Sequence, residues 1–168
     1  MRCKTEWVPA CIFKKMPKQK IFLGADHAGF RLKEEIKGFL GSIGYDFEDL
    51  GAFTDKTPCD YPETAFKLAK KVAKNNAKGI LVCGTGTGEA IVANKVKGIR
   101  AANCFNEYTA RMSREHNNSN VLCLGARVLS ASAAKKITKA WLGTGFSKEP
   151  RHKRRVAQIS AIEKQLCR

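Results

Sequence analysis

Residues 79–89 read Gly79-Ile-Leu-Val-Cys-Gly-Thr-Gly-Thr-Gly-Glu89. The apolar run Ile80, Leu81, Val82 has the composition of a buried strand. It reaches Cys83 and passes straight into a turn with glycine at 84, 86 and 88, after which a helix is expected. Strand, tight turn and helix in that order make the repeating unit of a parallel α/β sheet. The glycines Gly84, Gly86 and Gly88 leave backbone N–H groups open to close approach by an anion. Cys83 falls on the strand's last position, where the following helix N-terminus is expected to favour its thiolate. A base or nucleophile beside an anion hole is the core of an active site, so residues 83–88 are the first candidate site.

The same alternation runs outward in both directions. A short strand over 21–23 ends at Gly24-Ala-Asp-His27. A helix over 30–40 carries Leu32, Ile36, Phe39 and Leu40 on one face and is broken by Gly41 and Gly44. Residues 45–50 alternate as a strand, and Asp46, Glu48 and Asp49 mark it as an edge. A loop over 51–62 leads to a helix over 63–76. Beyond the glycine turn the pattern predicts a helix over 89–97, a strand over 99–104, a helix over 107–115, a strand over 121–124, a helix over 130–142 and a last helix over 154–165. Strands separated by helices imply right-handed crossovers. The expected architecture is a single domain over 20–166: a three-layer α/β/α sandwich, Rossmann-like, of about five parallel strands. Residues 1–19 hold Pro9, Pro17 and the Lys14-Lys15 pair without a clear period, and are expected to form a disordered extension.

Ligands of such sheets sit at the carboxyl ends of the strands. Two polar strand ends meet there, Asp26-His27 and residues 83–88. The glycine turn does not match a dinucleotide fingerprint, because Glu89 stands where the third glycine is required. It is not a P-loop either, since no Gly-Lys-Ser/Thr follows. A small anion, or an oxyanion formed during reaction, fits better than a nucleotide.

Composition narrows the classes further. The chain has 168 residues, 43% hydrophobic, enough for one sizeable core. No apolar run approaches the ~20 residues of a membrane span. Residues 1–20 carry scattered lysines and no continuous apolar stretch, so no signal peptide is expected. Lys+Arg number 31 against 15 Asp+Glu, a net charge of +16. Nucleic acid is one reading of that excess. The lysines are spread along helical segments, however, and no zinc-finger spacing or RNA-binding aromatic motif appears, so solvated faces and attraction of small anions explain it better. The seven cysteines, Cys3, Cys11, Cys59, Cys83, Cys104, Cys123 and Cys167, include no C-x-x-C pair. This argues against a zinc site or a thioredoxin motif and for reduced thiols in a cytoplasmic protein.

Several linked segments together resemble the ribose-5-phosphate isomerase type B family, which includes galactose-6-phosphate and allose-6-phosphate isomerases. They are Gly24-Ala-Asp-His-Ala-Gly-Phe30, Asp60-Tyr-Pro62, Cys83-Gly-Thr-Gly-Thr-Gly88, Ala93-Asn-Lys95, Gly98-Ile-Arg-Ala101, Ser113-Arg-Glu-His-Asn-Asn118, Asn120-Val121 and Arg151-His-Lys-Arg-Arg155. The resemblance covers nearly everything from Lys20 to about Glu163. It implies interconversion of ribose 5-phosphate and ribulose 5-phosphate through a cis-enediolate, with no metal and no cofactor.

The resemblance also implies roles, each matched by chemistry. Cys83 is the base for carbon 2. Gly84, Thr85, Gly86 and Gly88 hold the enediolate oxygen, with Thr85 bonding the substrate oxygens. His116, assisted by Asp26, opens the sugar ring, a task suited to a group that titrates near neutrality. Asn117 and Tyr61 contact the sugar. Arg151 and Arg155, four apart and so on one helix face, clamp the phosphate with His27, and Arg127 reaches a neighbouring site. The family forms dimers or pairs of dimers whose sites are shared, with His116, Asn117 and Arg127 coming from the partner. Two departures stand out. Glu89 accompanies Cys83, although the family uses a glutamate at that place where the cysteine is missing; it is a second candidate base, a helper or a spectator, and its charge would oppose a thiolate. Lys148-Glu149-Pro150 replaces a looser glycine pair before Arg151. A six-carbon sugar-phosphate isomerase and a non-catalytic sugar-phosphate binder are the alternative readings.

Overall fold

The structure is a computed structural model and describes residues 20–166; the extension expected over 1–19 lies outside the described residues. The elements in chain order are β1 (Ile21–Ala25), α1 (Phe30–Ser42), β2 (Phe47–Asp49), α2 (Tyr61–Asn75), β3 (Lys78–Cys83), α3 (Thr87–Ala93), β4 (Ala101–Asn103), α4 (Glu107–Asn117), β5 (Val121–Gly125), α5 (Ala131–Gly143) and α6 (Pro150–Leu166). All strand pairs are parallel, in the order β2-β1-β3-β5-β4. The expected five-stranded α/β architecture is therefore present. The strand read first, β3, is its centre, and acidic β2 is an edge.

Side-chain alternation along β3 builds the two apolar layers. Ile80 and Val82 face a core with Leu23, Ile36, Leu40, Leu122, Ile137 and Trp141. Leu81 faces the other way, against Phe22, Leu68, Val72, Ala93 and Cys123. Cys83 shares the parity of Leu81 and so points to the face covered by α2 and α3. Each fully buried Leu, Ile or Val contributes about 1.5–3 kcal/mol. Trp141 adds a satisfied polar end, its Nε1–H donating to Ser119 Oγ at 2.8 Å.

Among the boundaries that differ from the sequence reading, three have a clear local reason. Gly41 does not stop α1, which continues to Ser42; the chain turns at Gly44, whose φ is +71°. The third helix is only Thr87–Ala93, because Asn94 takes up the backbone groups at its end and bonds across to Ala101. The last helix begins at Pro150 rather than 154. Proline suits a helix's first turn, and the polar run after it offers no apolar period to read. Arg151 and Arg155 thus lie four residues apart on one helix.

Candidate active site at the carboxyl edge of the sheet

Cys83 closes β3 at the carboxyl edge and is buried. Its Sγ accepts a hydrogen bond from Gly86 N–H at 3.1 Å. That geometry needs the turn to double back at Gly86, whose φ of +80° favours glycine. A second glycine fixes the neighbouring loop. A Cβ at Gly29 would lie 1.8 Å from the Val82 carbonyl oxygen, so only glycine lets the loop after β1 rest on β3. Gly29 N–H then donates to Asp26 Oδ1 at 2.8 Å, holding the buried Asp26 beside Cys83.

The rest of this edge assembles around the glycine turn. His27 Nδ1 sits 3.2 Å from both the amide nitrogen and the carbonyl oxygen of Cys59, which ties it to the loop before α2. The Tyr61 ring lies directly over Gly88, where an added Cβ would meet it at 2.6 Å. Arg127 N–H donates to the Gly84 carbonyl at 2.9 Å, and its guanidinium passes over Gly84. Thr85 is exposed at the rim. One chain therefore brings together Asp26, His27, Tyr61, Cys83, Gly84, Thr85, Gly86, Gly88, Glu89 and Arg127. The expected placing of Arg127 in a partner's site does not match this position on Cys83's own side.

The electrostatics correct one expectation and sharpen another. Burial raises the Cys83 thiol above its ordinary value and Glu89 raises it further, while Gly86 and Thr85 N–H groups only partly offset this. The helix N-terminus therefore does not win, and the free cysteine is not a ready thiolate. The opposition expected from Glu89 is present. Glu89 itself has no exposed surface. Burial, then the charge of Asp26, push its carboxyl well above the usual range, and the Cys83 thiol draws it back only in part. Neither of its oxygens makes a well-aligned hydrogen bond among the described residues. The sequence pattern gave no sign of this burial, because a glutamate in a first helical turn is ordinarily a solvated one.

The other expected site residues lie elsewhere. His116 and Asn117 end α4, which runs back from β4 and delivers the chain to the start of β5. They are at the amino edge, where Asn117 and Ser119 line a cavity of about 620 Å³ with Arg100, Ile159, Ile162 and Glu163. Arg151 and Arg155 are nearby on α6. The five residue steps from Lys78 to Cys83 along β3, at about 3.3 Å each, separate this edge from Cys83 by roughly 16 Å. Within one chain, then, His116, Asn117, Arg151 and Arg155 do not meet Cys83 or Asp26.

This second cluster has its own order. The His116 and His152 rings stack at 4.3 Å, tilted by 38°. His152 is buried, its Nδ1 is 2.7 Å from Ser147 Oγ, and burial with the charges of His116 and Arg151 lowers its pKa. Sequence reasoning missed His152, hidden between the two arginines. Arg151 Nε is not free but pairs with Glu149 Oε2 at 2.8 Å, a consequence of the Lys-Glu-Pro departure. Among the described residues no group of three or more His, Cys, Asp or Glu side chains is arranged to hold a metal ion, and no helix is long and apolar enough to cross a membrane.

The chain is similar to known proteins along most of its length. The family model described as Ribose/Galactose Isomerase matches residues 21–159. Ribose-5-phosphate isomerase B of Escherichia coli (strain K12) is 45% identical over 146 residues, covering 86% of this chain and 97% of that protein. The structure of ribose-5-phosphate isomerase B from Clostridium thermocellum superposes with a TM-score of 0.84 at 47% identity, over 88% of this chain and 99% of that one. The enzyme from Mycoplasma genitalium, solved with bound ribulose-5-phosphate, gives 0.83 at 42% identity, over 87% and 97%.

Proposed function

The chain belongs to the ribose/galactose isomerase family, and we propose that it interconverts D-ribose 5-phosphate and D-ribulose 5-phosphate through a cis-enediolate, without a metal or cofactor. The observation that carries this reading is the buried Cys83 thiol, hydrogen-bonded to Gly86 N–H at the mouth of the glycine turn. Aldose–ketose isomerisation needs a base for carbon 2 and donors for the oxyanion that appears beside it. Cys83 is that base, and it returns the proton to carbon 1. The N–H groups of residues 84–88 and the Thr85 hydroxyl hold the enediolate oxygen. Tyr61 walls the sugar in, and His27 and Arg127 extend the polar rim.

The ring opener and the phosphate clamp come from a second copy of the chain. His116, Asn117, Arg151 and Arg155 lie at the opposite edge from Cys83, so a site containing all of them needs two chains docked edge to edge. His116 of one copy, with Asp26 of the other, moves the ring-opening proton; Asn117 holds a hydroxyl; the arginines bind the phosphate with His27. The reading is thus a homodimer, or a pair of dimers, with shared sites. A catalytic thiol also works best under reducing conditions, which supports a cytoplasmic location.

The test is incubation with ribose 5-phosphate or allose 6-phosphate in the presence of a chelator, reading ketose formation. Rapid conversion of the five-carbon substrate is expected. Binding without turnover, or turnover of the six-carbon sugar alone, overturns the reading.

A further inference from the structure

Glu89 has no task in the reaction just described, yet it is the most unusual side chain in the site. It occupies the first turn of α3 with no exposed surface and, among the described residues, no well-aligned hydrogen bond to either carboxyl oxygen. A buried polar group left in that state calls for an explanation. The groups that face it come from several elements. Cys83 ends β3, Asp26 follows β1 and Cys123 lies on β5. Tyr61 opens α2 over the adjacent Gly88, and Arg127 reaches in above Gly84. Among these, the Cys83 thiol is the one that favours Glu89's charged form, and Glu89 in turn disfavours the thiolate. Two acids in one dry pocket do not both ionise at neutral pH, so at least one proton stays on the pair.

We propose that Glu89 is a positioning residue for Cys83, its carboxylate accepting the thiol proton so that the two side chains share one proton across the buried face between β3 and α3. The inference rests on the reading of Cys83 as the base. The exchange balances internally: S–H plus carboxylate becomes thiolate plus carboxylic acid, and no proton leaves for water. The thiolate, held by Gly86 N–H, takes the proton from carbon 2 and delivers it to carbon 1. Glu89 keeps its own proton meanwhile, and the thiolate–acid pair is regenerated.

The experiment follows alkylation of Cys83 by iodoacetamide against pH in the full chain, read on the Cys83 peptide by mass spectrometry, with kcat measured in parallel. A shared proton makes the thiolate fraction independent of pH between the pair's two ionisations. The wild type is therefore expected to react in two steps separated by a flat shelf. Glu89→Gln, which keeps the shape and removes the shared proton, is expected to give one continuous rise, about tenfold per pH unit below the thiol pKa. At the acid end it should react at least about tenfold more slowly than wild type. A single wild-type step overturns the proposal, whatever the variant does. So do identical profiles for the two proteins, or a Glu89→Gln profile merely displaced to lower pH. Cys83→Ala tests the underlying reading separately: near-normal turnover in that variant, with Glu89→Gln inactive, makes Glu89 the base and overturns both.

Discussion

Replacing Gly29 by alanine probes how the site is held together, and the structure gives its size. The added methyl would sit 1.8 Å from the Val82 carbonyl oxygen, 2.4 Å from the Val82 carbonyl carbon and 3.0 Å from the Cys83 nitrogen. All three are backbone atoms of the central strand, with no flexible end to swing aside. Restoring ordinary van der Waals separation takes about 1.5 Å of movement between the β1–α1 loop and β3. Overpacking of this kind costs about 1–3 kcal/mol. The movement also breaks the Gly29 N–H to Asp26 hydrogen bond, worth about 1 kcal/mol. A total of about 2–4 kcal/mol, at about 2–4 °C per kcal/mol for a chain this long, lowers Tm by roughly 5–15 °C. Because Asp26 and Cys83 move apart, kcat/KM should fall by about 10²-fold even well below Tm. Gly38→Ala is the internal control. Its Cβ meets nothing within 4 Å in the middle of α1, so it should stabilise the chain by about 0.5–1 kcal/mol. Thermal melts followed by circular dichroism, with isomerase assays at 25 °C, read both effects. A Gly29→Ala protein that melts with wild type and keeps its turnover would refute the argument that this contact registers the two halves of the carboxyl edge.

Other outcomes follow from the charge pattern. Glu149→Gln releases Arg151 from an exposed ion pair worth under about 1 kcal/mol, so KM should fall about two- to fivefold with kcat unchanged; a higher KM would mean that Arg151 does not bind phosphate. Lys33 is fully buried and pairs with Glu34 and Asp49, so Lys33→Met should cost about 3 kcal/mol in denaturant melts. Burial pushes Asp49 up, but Lys33, Gly51 N–H and Lys37 together hold it below its ordinary 3.8. That stability is complete above 3.8 and lost as pH falls through the lower folded value, so Lys33→Met should also acid-unfold at a higher pH. Glu89 works in the opposite sense. Its raised folded pKa means that the folded state binds the extra proton, so stability declines as pH climbs above 4.5 towards the folded value. The Tm advantage of Glu89→Gln over wild type should therefore grow as pH rises from 5 and level off once the Glu89–Cys83 pair has given up the first of its two protons, as differential scanning calorimetry can show.

Much of this was legible from residue order, and the exceptions have physical causes. The β3 apolar run and its glycines had one consistent meaning, because a buried parallel strand must be apolar on both faces and its turn must bend sharply at Gly86. The acidic residues of β2 marked an edge for the same reason. The start of α6 was missed because residues 150–153 are a proline and three polar side chains, which carry no 3.6-residue period. The thiol's direction was misjudged because a helix N-terminus is visible in sequence and burial is not; at Cys83, burial and Glu89 outweigh the N–H groups. The likeness to a known family supplied the site residues, but their division between two sheet edges follows from topology. In an all-parallel sheet, a helix that precedes a strand ends at that strand's amino edge, and this alone keeps His116 away from Cys83.

The proposed sharing of each site between two copies can be tested in solution. Cys83→Ala and His116→Asn, each inactive alone, are mixed after reversible dissociation. If every site takes Cys83 from one copy and His116 from the other, each mixed dimer holds one intact site. Random pairing then restores about one quarter of wild-type activity. No recovery, with mixed dimers demonstrated by mass, would contradict the account.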